Sequence, residues 1–180
     1  MQKRHTDRES YFDEQSQTSK NYYIPYIKEV IGHIPDKVLE VGCGEGGNLL
    51  PFAKAGCRVM GVDIDAMRIE QARTFFTQRH QQGQFIATDI FQLKDKATNF
   101  PLILLHDVIE HIRDKERFFS GLQEHLSADG AVFVGFPAWQ MPFGGHQQIA
   151  HSHIVSHFPF LHLLPRTLDR KSTRLNSSHT

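Results

Sequence analysis

The chain has little of the residues that mark several classes of protein. Its 180 residues include one tryptophan and two cysteines, Cys43 and Cys57. Two cysteines provide no disulfide framework of the kind that small secreted domains need. No apolar run approaches the roughly 20 residues that span a bilayer, and the N-terminus, MQKRHTDR, lacks the apolar stretch of a signal peptide. We therefore expect a cytoplasmic protein without membrane insertion.

An excess of either charge is also missing, with 20 basic and 20 acidic side chains. The last segment, residues 169–180, reads DRKSTRLNSSHT and resembles a translated sequencing adapter, so we expect it to be an artefactual tail. Without it the chain has 17 basic and 19 acidic residues. A mildly acidic body offers no general attraction for a phosphate backbone. Nucleic acid is therefore not the expected partner.

Apolar segments with strand and helix patterns alternate along most of the chain. The predicted strands are Lys37–Val41, Arg58–Asp63, Phe85–Thr88, Leu102–His106 and Gly130–Phe136. The predicted helices between them are Leu49–Ala55, 65–80 and Lys115–Ser127. This alternation predicts an α/β fold, a Rossmann-like doubly wound and mostly parallel sheet in three α/β/α layers.

Four regions follow from this pattern. Residues 1–35 are expected to be an N-terminal helical segment, with apolar residues at helical spacing before Pro35. Residues 36–137 form the predicted core and 138–168 a lid on the substrate side, ahead of the tail at 169–180. We expect the natural sequence to continue past residue 168, so that the last strands of the sheet are lost by truncation.

A glycine loop, Gly42-Cys43-Gly44-Glu45-Gly46-Gly47, follows the first strand and opens a helix. Glycines permit a tight turn there and let backbone N–H groups approach a ligand closely. Gly42, Gly44 and Gly47 also satisfy the dinucleotide fingerprint. The loop alone therefore leaves an NAD(P)-binding Rossmann domain open as an alternative.

Three acidic residues, Glu40, Asp63 and Asp89, end the first three predicted strands on one rim of the sheet. Glu40 would lie unfavourably near a pyrophosphate, whereas it suits a sulfonium cation that carries an ammonium group. Asp63 can accept hydrogen bonds from both ribose hydroxyls, and Asp89 one from the exocyclic amine of adenine. Each acid alone could instead be a helix cap or a solvated loop residue. Together they favour S-adenosylmethionine over NAD(P).

The run from Val38 to Asp63, with Asp89-Ile90 and Leu105–His111, resembles class I S-adenosylmethionine-dependent methyltransferases, near the ubiquinone-biosynthesis O-methyltransferase type. The resemblance implies a reversed final hairpin in the complete sheet, and it implies a role for each cofactor-binding residue. The methionine part would contact Glu40, Gly42, Cys43, Gly44 and Gly46; the ribose, Asp63 and Ile64; the adenine, Asp89 and Ile90; and His106 would face the methyl-bearing sulfur.

Catalytic candidates come from two later segments. Related O-methyltransferases bind a divalent cation through Glu-x-x-Glu-His, where this chain has Asp107, Glu110 and His111. Glu110 and His111 are the catalytic candidates of this segment, but we favour the interpretation that they only cap the following turn and pack against the cofactor site, and we do not expect a metal ion. His146, in an aromatic segment that contains Trp139 and Phe143, is a possible base. The histidine-rich stretch 146–162 has no partner cysteines, so no zinc site is predicted.

These residues predict an enzyme that transfers a methyl group from S-adenosylmethionine to a small, apolar or aromatic acceptor, with oxygen the favoured atom. A hydroxyl acceptor would also need a base. Besides the NAD(P)-binding alternative, the chain could be a non-catalytic or truncated module that binds S-adenosylmethionine. We expect a monomer or a weak dimer.

Overall fold

The computed structural model describes residues 7–93 and 97–136. Five parallel strands form one sheet in these residues: β1 (Lys37–Val41), β2 (Arg58–Asp63), β3 (Gln84–Ala87), β4 (Phe100–His106) and β5 (Leu126–Gly135). Their order across the sheet is β3-β2-β1-β4-β5. The chain therefore reverses its direction of winding between β1 and β4, the position where open α/β sheets bind ligands beyond the carboxyl ends of their strands.

Six α-helices accompany the sheet in residues 7–93 and 97–136. They are α1 (Arg8–Thr18), α2 (Ile24–Ile31), α3 (Leu50–Lys54), α4 (Ala66–Gln78), α5 (Ile90–Leu93) and α6 (Lys115–Gln123). Asp65 is the N-cap of α4, where its carboxylate accepts hydrogen bonds from the backbone N–H groups of Met67 and Arg68. Aspartate is one of the residues that N-cap positions prefer.

The strands bury both of their faces, because side chains alternate along each strand. In β1, Val38 packs in a core cluster with residues of α1 to α4, whereas Leu39 packs in a second cluster with residues of α5 and α6. Leu104 and Leu105 of β4 divide between the same two clusters. Helices therefore cover both faces of the sheet, which confirms the doubly wound, three-layer fold.

The N-terminal helices run without a break through a π-helical turn at Ser19–Tyr23. Helix α1 is polar and buries one residue, Phe12, while α2 buries Ile27 and ends at Gly32, whose φ is +82°. Ser19 in the π turn is fully buried and donates a hydrogen bond from Oγ to the carbonyl of Asn48, at 2.8 Å. This bond fixes the turn to the segment after the glycine loop.

The predicted end of α6 is wrong, and with it the predicted start of β5. The apolar spacing of Phe118, Leu122 and Leu126 predicts a helix to Ser127, but α6 ends at Gln123 and β5 begins at Leu126. Leu126 pairs with Phe100 of β4, and the Phe100 N–H donates to the His125 carbonyl. Strand pairing therefore overrides the helical pattern, and a register shift separates this pair from the rest of the ladder.

Within the described ranges, no helix has both the length and the apolar character that a membrane span requires. The predicted lid at 138–168, the tail at 169–180 and any strands beyond Phe136 lie outside the described residues.

Candidate functional site

Two cavities lie at the carboxyl ends of the central strands. The larger, which we call the cleft, has a volume of about 420 Å³ and lies beside the glycine loop and the ends of β2 and β3. The smaller, which we call the inner cavity, has a volume of about 200 Å³ and lies between the N-terminal helices and the end of β4. Asp107 lines both. Asp107 therefore forms a wall that the two cavities share.

The glycine loop needs its glycines for two different reasons. Gly42, Gly44 and Gly46 have φ values of +72°, +52° and +80°, in the left-handed region that glycine tolerates best. A Cβ on Gly42 would also lie 2.4 Å from Cγ2 of Val108. Gly47 has an ordinary φ, but a Cβ there would lie 2.6 Å from the carbonyl oxygen of Phe12. Glycine is therefore needed at position 47 to leave room for helix α1, and not for a ligand.

Asp63 ends β2 and holds the loop that follows β1. One carboxylate oxygen accepts from the Gly44 N–H at 2.8 Å, and the other from the Asp65 N–H at 2.9 Å. A carboxylate has about four acceptor positions, so capacity remains for ligand hydroxyls. Asp63 lines the cleft together with Ile64, whose side chain is 81% exposed. An exposed isoleucine beside a carboxylate can cover an apolar ligand face.

Asp89 and Ile90 also line the cleft. The Asp89 carboxylate accepts from the Phe91 N–H at 3.0 Å, so it caps the short helix α5 as well as lining the cleft. Ile90 is buried in the second core cluster. Asp89 thus caps α5 and lines the cleft at the same time, so its role as a cap does not exclude a role in binding.

Glu40 is an unusual acid, because it lies within the sheet and is 1% exposed. Its Oε1 accepts a hydrogen bond of 2.8 Å from Nδ2 of Asn48, while Oε2 has no hydrogen-bond partner among the described residues. Burial raises the pKa of Glu40 to about 8, although the bond from Asn48 acts to lower it. A buried acid with an unused oxygen is suited to a cationic ligand group.

Cys43 faces away from the ligand side of the loop. Its side chain is buried in the core cluster beneath β2, where Sγ would lie 2.6 Å from a Cβ on Gly61. Its backbone N–H donates to Val62, and burial raises the pKa of its thiol well above the ordinary value. Cys43 therefore shapes the loop through packing.

Asp107 follows β4 with a φ of +54°, which is uncommon for a residue other than glycine. Its N–H donates to the carbonyl of Gly135, which holds this conformation. Its carboxylate lies 3.6 Å from Nδ1 of His106. Asp107 combines an uncommon backbone conformation with a place in the lining of two cavities, which makes it a candidate functional residue.

His106 lines the inner cavity and does not line the cleft. Its ring lies 5.6 Å from the ring of Tyr23, which in turn lies 4.8 Å from Phe133 of β5. Burial, with the charges of Asp107 and Glu40, raises the pKa of the Tyr23 hydroxyl to about 12. Tyr23 is therefore a neutral hydrogen-bonding group at physiological pH.

The cation-binding alternative is not assembled in the structure. No group of three His, Cys, Asp or Glu side chains in residues 7–93 and 97–136 is placed to hold a metal ion, and this includes Asp107, Glu110 and His111. His111 lines the cleft, whereas Glu110 is exposed on a 3₁₀ turn and lines neither cavity. His146 lies outside the described residues.

Sequence reasoning missed the residues that the N-terminal helices bring to the site. Tyr11, Gln15 and Tyr23 line the inner cavity together with Asn48, which follows the glycine loop. A usable signal exists in the alternation of β1: Glu40 shares a face with Val38, and that face packs against the N-terminal helices. This alternation predicts that the side chain of Glu40 faces the helices that cover the Val38 face of the sheet.

Glu45 of the glycine loop was also missed. It is 1% exposed, and its carboxylate lies 3.3 Å from Arg8 of α1 and 3.9 Å from Arg68 of α4. Arg68 lines the cleft beside Gly44. The buried glutamate thus links the loop to the helices on either side of it.

Comparison with known proteins agrees with this geometry. A family model described as a methyltransferase domain matches residues 38–130. The ubiquinone biosynthesis O-methyltransferases of Bartonella quintana and Bartonella bacilliformis are 32% and 30% identical over 118 residues, which are 63% of this chain and 48% of each relative. The chain thus spans about half the length of the curated relatives it matches.

Solved structures show the same fold. A TehB-like S-adenosylmethionine-dependent methyltransferase from Corynebacterium glutamicum is 25% identical with a TM-score of 0.55, and the match covers 66% of this chain and 64% of that one. PKMT2 from Rickettsia typhi, solved in complex with AdoHcy, is 27% identical with a TM-score of 0.56 over 64% of this chain and 25% of that one. Because the family model matches more than half of its residues, the chain belongs to the class I S-adenosylmethionine-dependent methyltransferases.

Proposed function

We propose that this chain binds S-adenosylmethionine and transfers its methyl group to a small-molecule acceptor, with oxygen the favoured atom. The observation that carries the proposal is the convergence of Asp63, Asp89 and the glycine loop on one cleft, next to the buried carboxyl of Glu40. The curated relatives are named as O-methyltransferases, which supports an oxygen acceptor here.

The residues fit a cationic cofactor better than a dinucleotide. The pyrophosphate of NAD(P) would add negative charge beside Glu40, whose unpartnered Oε2 is a hydrogen-bond acceptor once the group is ionised. With a pKa of about 8, Glu40 is mainly protonated at neutral pH in the ligand-free chain. A ligand with an ammonium and a sulfonium group would favour its ionised form, whereas a pyrophosphate would oppose it. The third glycine of the dinucleotide fingerprint, Gly47, contacts helix α1. Both features count against the NAD(P) alternative.

In the proposed complex, Asp63 accepts hydrogen bonds from the ribose hydroxyls, and Asp89 and Ile90 bind the adenine. The loop glycines, with Glu40, lie beside the methionine part, and His106 faces the sulfur. The cofactor supplies an activated methyl group, so the chain's own residues mainly have to orient the acceptor in line with it. Orientation of this kind can provide roughly 7–11 kcal/mol of rate acceleration.

A hydroxyl acceptor must lose its proton as the methyl group arrives. We propose His111 for this role, because it lines the cleft with Asp107. Glu110 and His146 stay candidates from the sequence. If His111 is the base, the variant His111→Asn should lower turnover roughly 100-fold or more and still bind S-adenosylhomocysteine. Unchanged turnover would exclude His111.

Four further proposals rest on the sequence. We propose an apolar or aromatic acceptor, because the segment with Trp139 and Phe143 is aromatic and follows the strand edge where the site lies. We propose action in the cytoplasm and a monomer or weak dimer. The division into a helical segment at 1–35, a core at 36–137, a lid at 138–168 and an artefactual tail at 169–180 is also a proposal.

Isothermal titration of the chain with S-adenosylhomocysteine and with NAD tests the cofactor assignment. We expect binding of S-adenosylhomocysteine and none of NAD, and we expect Asp63→Ala to weaken binding about 10- to 100-fold through the lost ribose hydrogen bonds. The matched control is Asp36→Ala, since Asp36 pairs with Arg58 at the opposite edge of the sheet. Tight binding of NAD alone would overturn the proposal, and binding without methyl transfer would favour a non-catalytic module.

A further inference from the structure

A third cavity lies at the amino ends of the strands, at the opposite end of the sheet from the cleft. We call it the amino-end pocket, and its volume is about 330 Å³. Its lining includes the residues that begin β1, β2, β3 and β4, which are Lys37, Arg58, Gln84 and Phe100. Pockets for small molecules have volumes from roughly 300 Å³ upward. The amino-end pocket is therefore large enough for a small ligand, and it shares none of its described lining residues with the cleft.

Two cationic side chains lie next to each other in the wall of this pocket. Lys37 and Arg58 are register partners on the neighbouring strands β1 and β2. Asp36 pairs with Arg58, with 2.7 Å between Oδ2 and Nη2, and so offsets one of the two charges. None of the described lining residues is acidic. The wall therefore keeps an excess of one positive charge, which attracts an anion.

Lys37 is held in place without an acidic partner of its own among the described residues. Its Nζ donates to the carbonyl of Thr98 at 2.7 Å and lies 3.9 Å from the centroid of the Phe100 ring. An ammonium group has three N–H donors, so donors remain for a ligand. Burial lowers the pKa of Lys37, and the charge of Arg58 lowers it further, although Asp36 acts in the opposite direction. An anion beside Lys37 would stabilise this cation.

The remaining lining of the pocket combines apolar core residues with amides. Val59, Met60 and Phe100 are buried in the core and also line the pocket, whereas Gln82 and Gln84 are exposed. A multivalent, strongly hydrated anion such as phosphate would lose hydration against the apolar part. A singly charged group on an apolar body matches both the charge excess and the apolar lining.

We propose that the amino-end pocket binds a small carboxylate with an apolar body, the carboxylate beside Lys37 and Arg58 and the body against Met60 and Phe100. The two carboxylate oxygens can accept from the ammonium and the guanidinium group at once, and such charge-assisted bonds are the stronger ones. Because the pocket lies at the far end of the strands from the cleft, this ligand is neither the cofactor nor the methyl acceptor.

The test is an NMR titration of the ¹⁵N-labelled chain with benzoate and with benzamide, which has a similar shape and no charge. Benzoate should bind saturably with a Kd of about 1 mM or below, within the range that so small a ligand can reach. The shifted signals should be those of N–H groups that line the pocket, such as Lys37, Gly83 and Gln84. Benzamide should bind about 10-fold more weakly, because it lacks the charge.

Lys37→Met removes the charge and keeps an apolar stem over Phe100. It should reduce the preference for benzoate over benzamide at least several-fold and leave the affinity for benzamide unchanged. Lys37→Arg, which keeps the charge, should retain the preference. Lys54→Met is the matched control, because Lys54 is an exposed lysine on α3, and it should change neither affinity.

Three results would overturn the proposal. The first is the absence of saturable benzoate binding by the wild-type chain, and the second is equal affinity for benzoate and benzamide. The third is a set of benzoate shifts confined to the N–H groups of the cleft, such as those of Asp63 and Asp89, since benzoate would then bind at the cleft. An unchanged preference in Lys37→Met would likewise overturn the role assigned to Lys37.

Discussion

The cleft and the inner cavity differ in how complete their hydrogen bonding is. In the cleft, the carboxylates of Asp63 and Asp89 already accept backbone N–H groups and are partly open to solvent. Beside the inner cavity, Gln15, Asn48 and Glu40 each have a buried oxygen without a partner in the described residues. The cleft is thus formed before a ligand arrives, whereas the inner cavity has hydrogen bonds still to make. We expect the first to set the position of the ligand and the second to set its identity.

The largest expected effect on ligand binding is on the cleft side, at Gly42. In Gly42→Ala, a Cβ would lie 2.4 Å from Cγ2 of Val108 and the residue would keep a φ of +72°. We expect a loss of about 2–4 kcal/mol in the free energy of unfolding and no measurable binding of S-adenosylhomocysteine. Urea denaturation and titration calorimetry measure the two effects.

Gly32→Ala is the control for Gly42→Ala. Gly32 has a φ of +82°, but nothing lies within 4 Å of a Cβ there. It should lose only the conformational part, about 1 kcal/mol, and should still bind ligand. Adding Val108→Ala to Gly42→Ala should recover part of the loss, because it removes the clashing methyl group. Equal losses in the two glycine variants would show that the clash is unimportant.

The second prediction concerns Glu40, whose pKa is raised from 4.5 to about 8. Below pH 4.5 the acid is protonated in both the folded and unfolded states, so it adds no pH dependence. Between pH 4.5 and 8 only the unfolded state releases the proton, and the folded state loses stability as the pH rises. Relative to Glu40→Gln, the wild-type chain should therefore lose several kcal/mol over this window, at about 1.4 kcal/mol per pKa unit.

Urea denaturation of both proteins at pH 5, 6, 7 and 8 measures this difference. Glu110→Gln is the control, because Glu110 is exposed and its substitution should leave the pH profile unchanged. A constant difference between the wild-type chain and Glu40→Gln across the window would contradict the buried, protonated state of Glu40.

The smallest expected effect is at Ser19. Ser19→Ala removes the hydrogen bond to the Asn48 carbonyl and leaves that acceptor buried, which should cost about 1–2 kcal/mol of unfolding free energy. Because Asn48 lines the inner cavity and becomes less well held, affinity for S-adenosylhomocysteine should fall a few-fold. Ser120→Ala, an exposed serine on α6, is the control for thermal and calorimetric measurements. Unchanged stability of Ser19→Ala would contradict the role of this hydrogen bond in fixing the π turn.

The cleft could be predicted from the sequence because its parts are local. Each acid ends an apolar strand, and in a parallel sheet those ends share one edge, so Asp63 and Asp89 are predicted to converge. The same periodicity predicts every described strand, with bounds that shift by a few residues. It fails where pairing decides the outcome, as at Leu126, which continues a helical pattern but pairs with Phe100.

The inner cavity could not be predicted in this way. Helix α1 has no apolar stripe, and Phe12 is the one residue that it buries. The contact of Gln15 with Gly47 joins residues 32 positions apart through tertiary packing, which composition and spacing do not record. The π turn that buries Ser19 has no sequence signature of its own. The cavity-lining residues of α1 are polar and follow no apolar pattern, so their place in the site depends on the tertiary packing of the helix on the sheet.

The structure of the chain in complex with S-adenosylhomocysteine tests the central claim most directly. We predict the ribose hydroxyls on the carboxylate of Asp63, the adenine beside Asp89 and Ile90, and the methionine part beside the glycine loop. A ligand that leaves Asp63 without a hydrogen bond to the ribose, or whose adenine lies away from Asp89, would contradict the account.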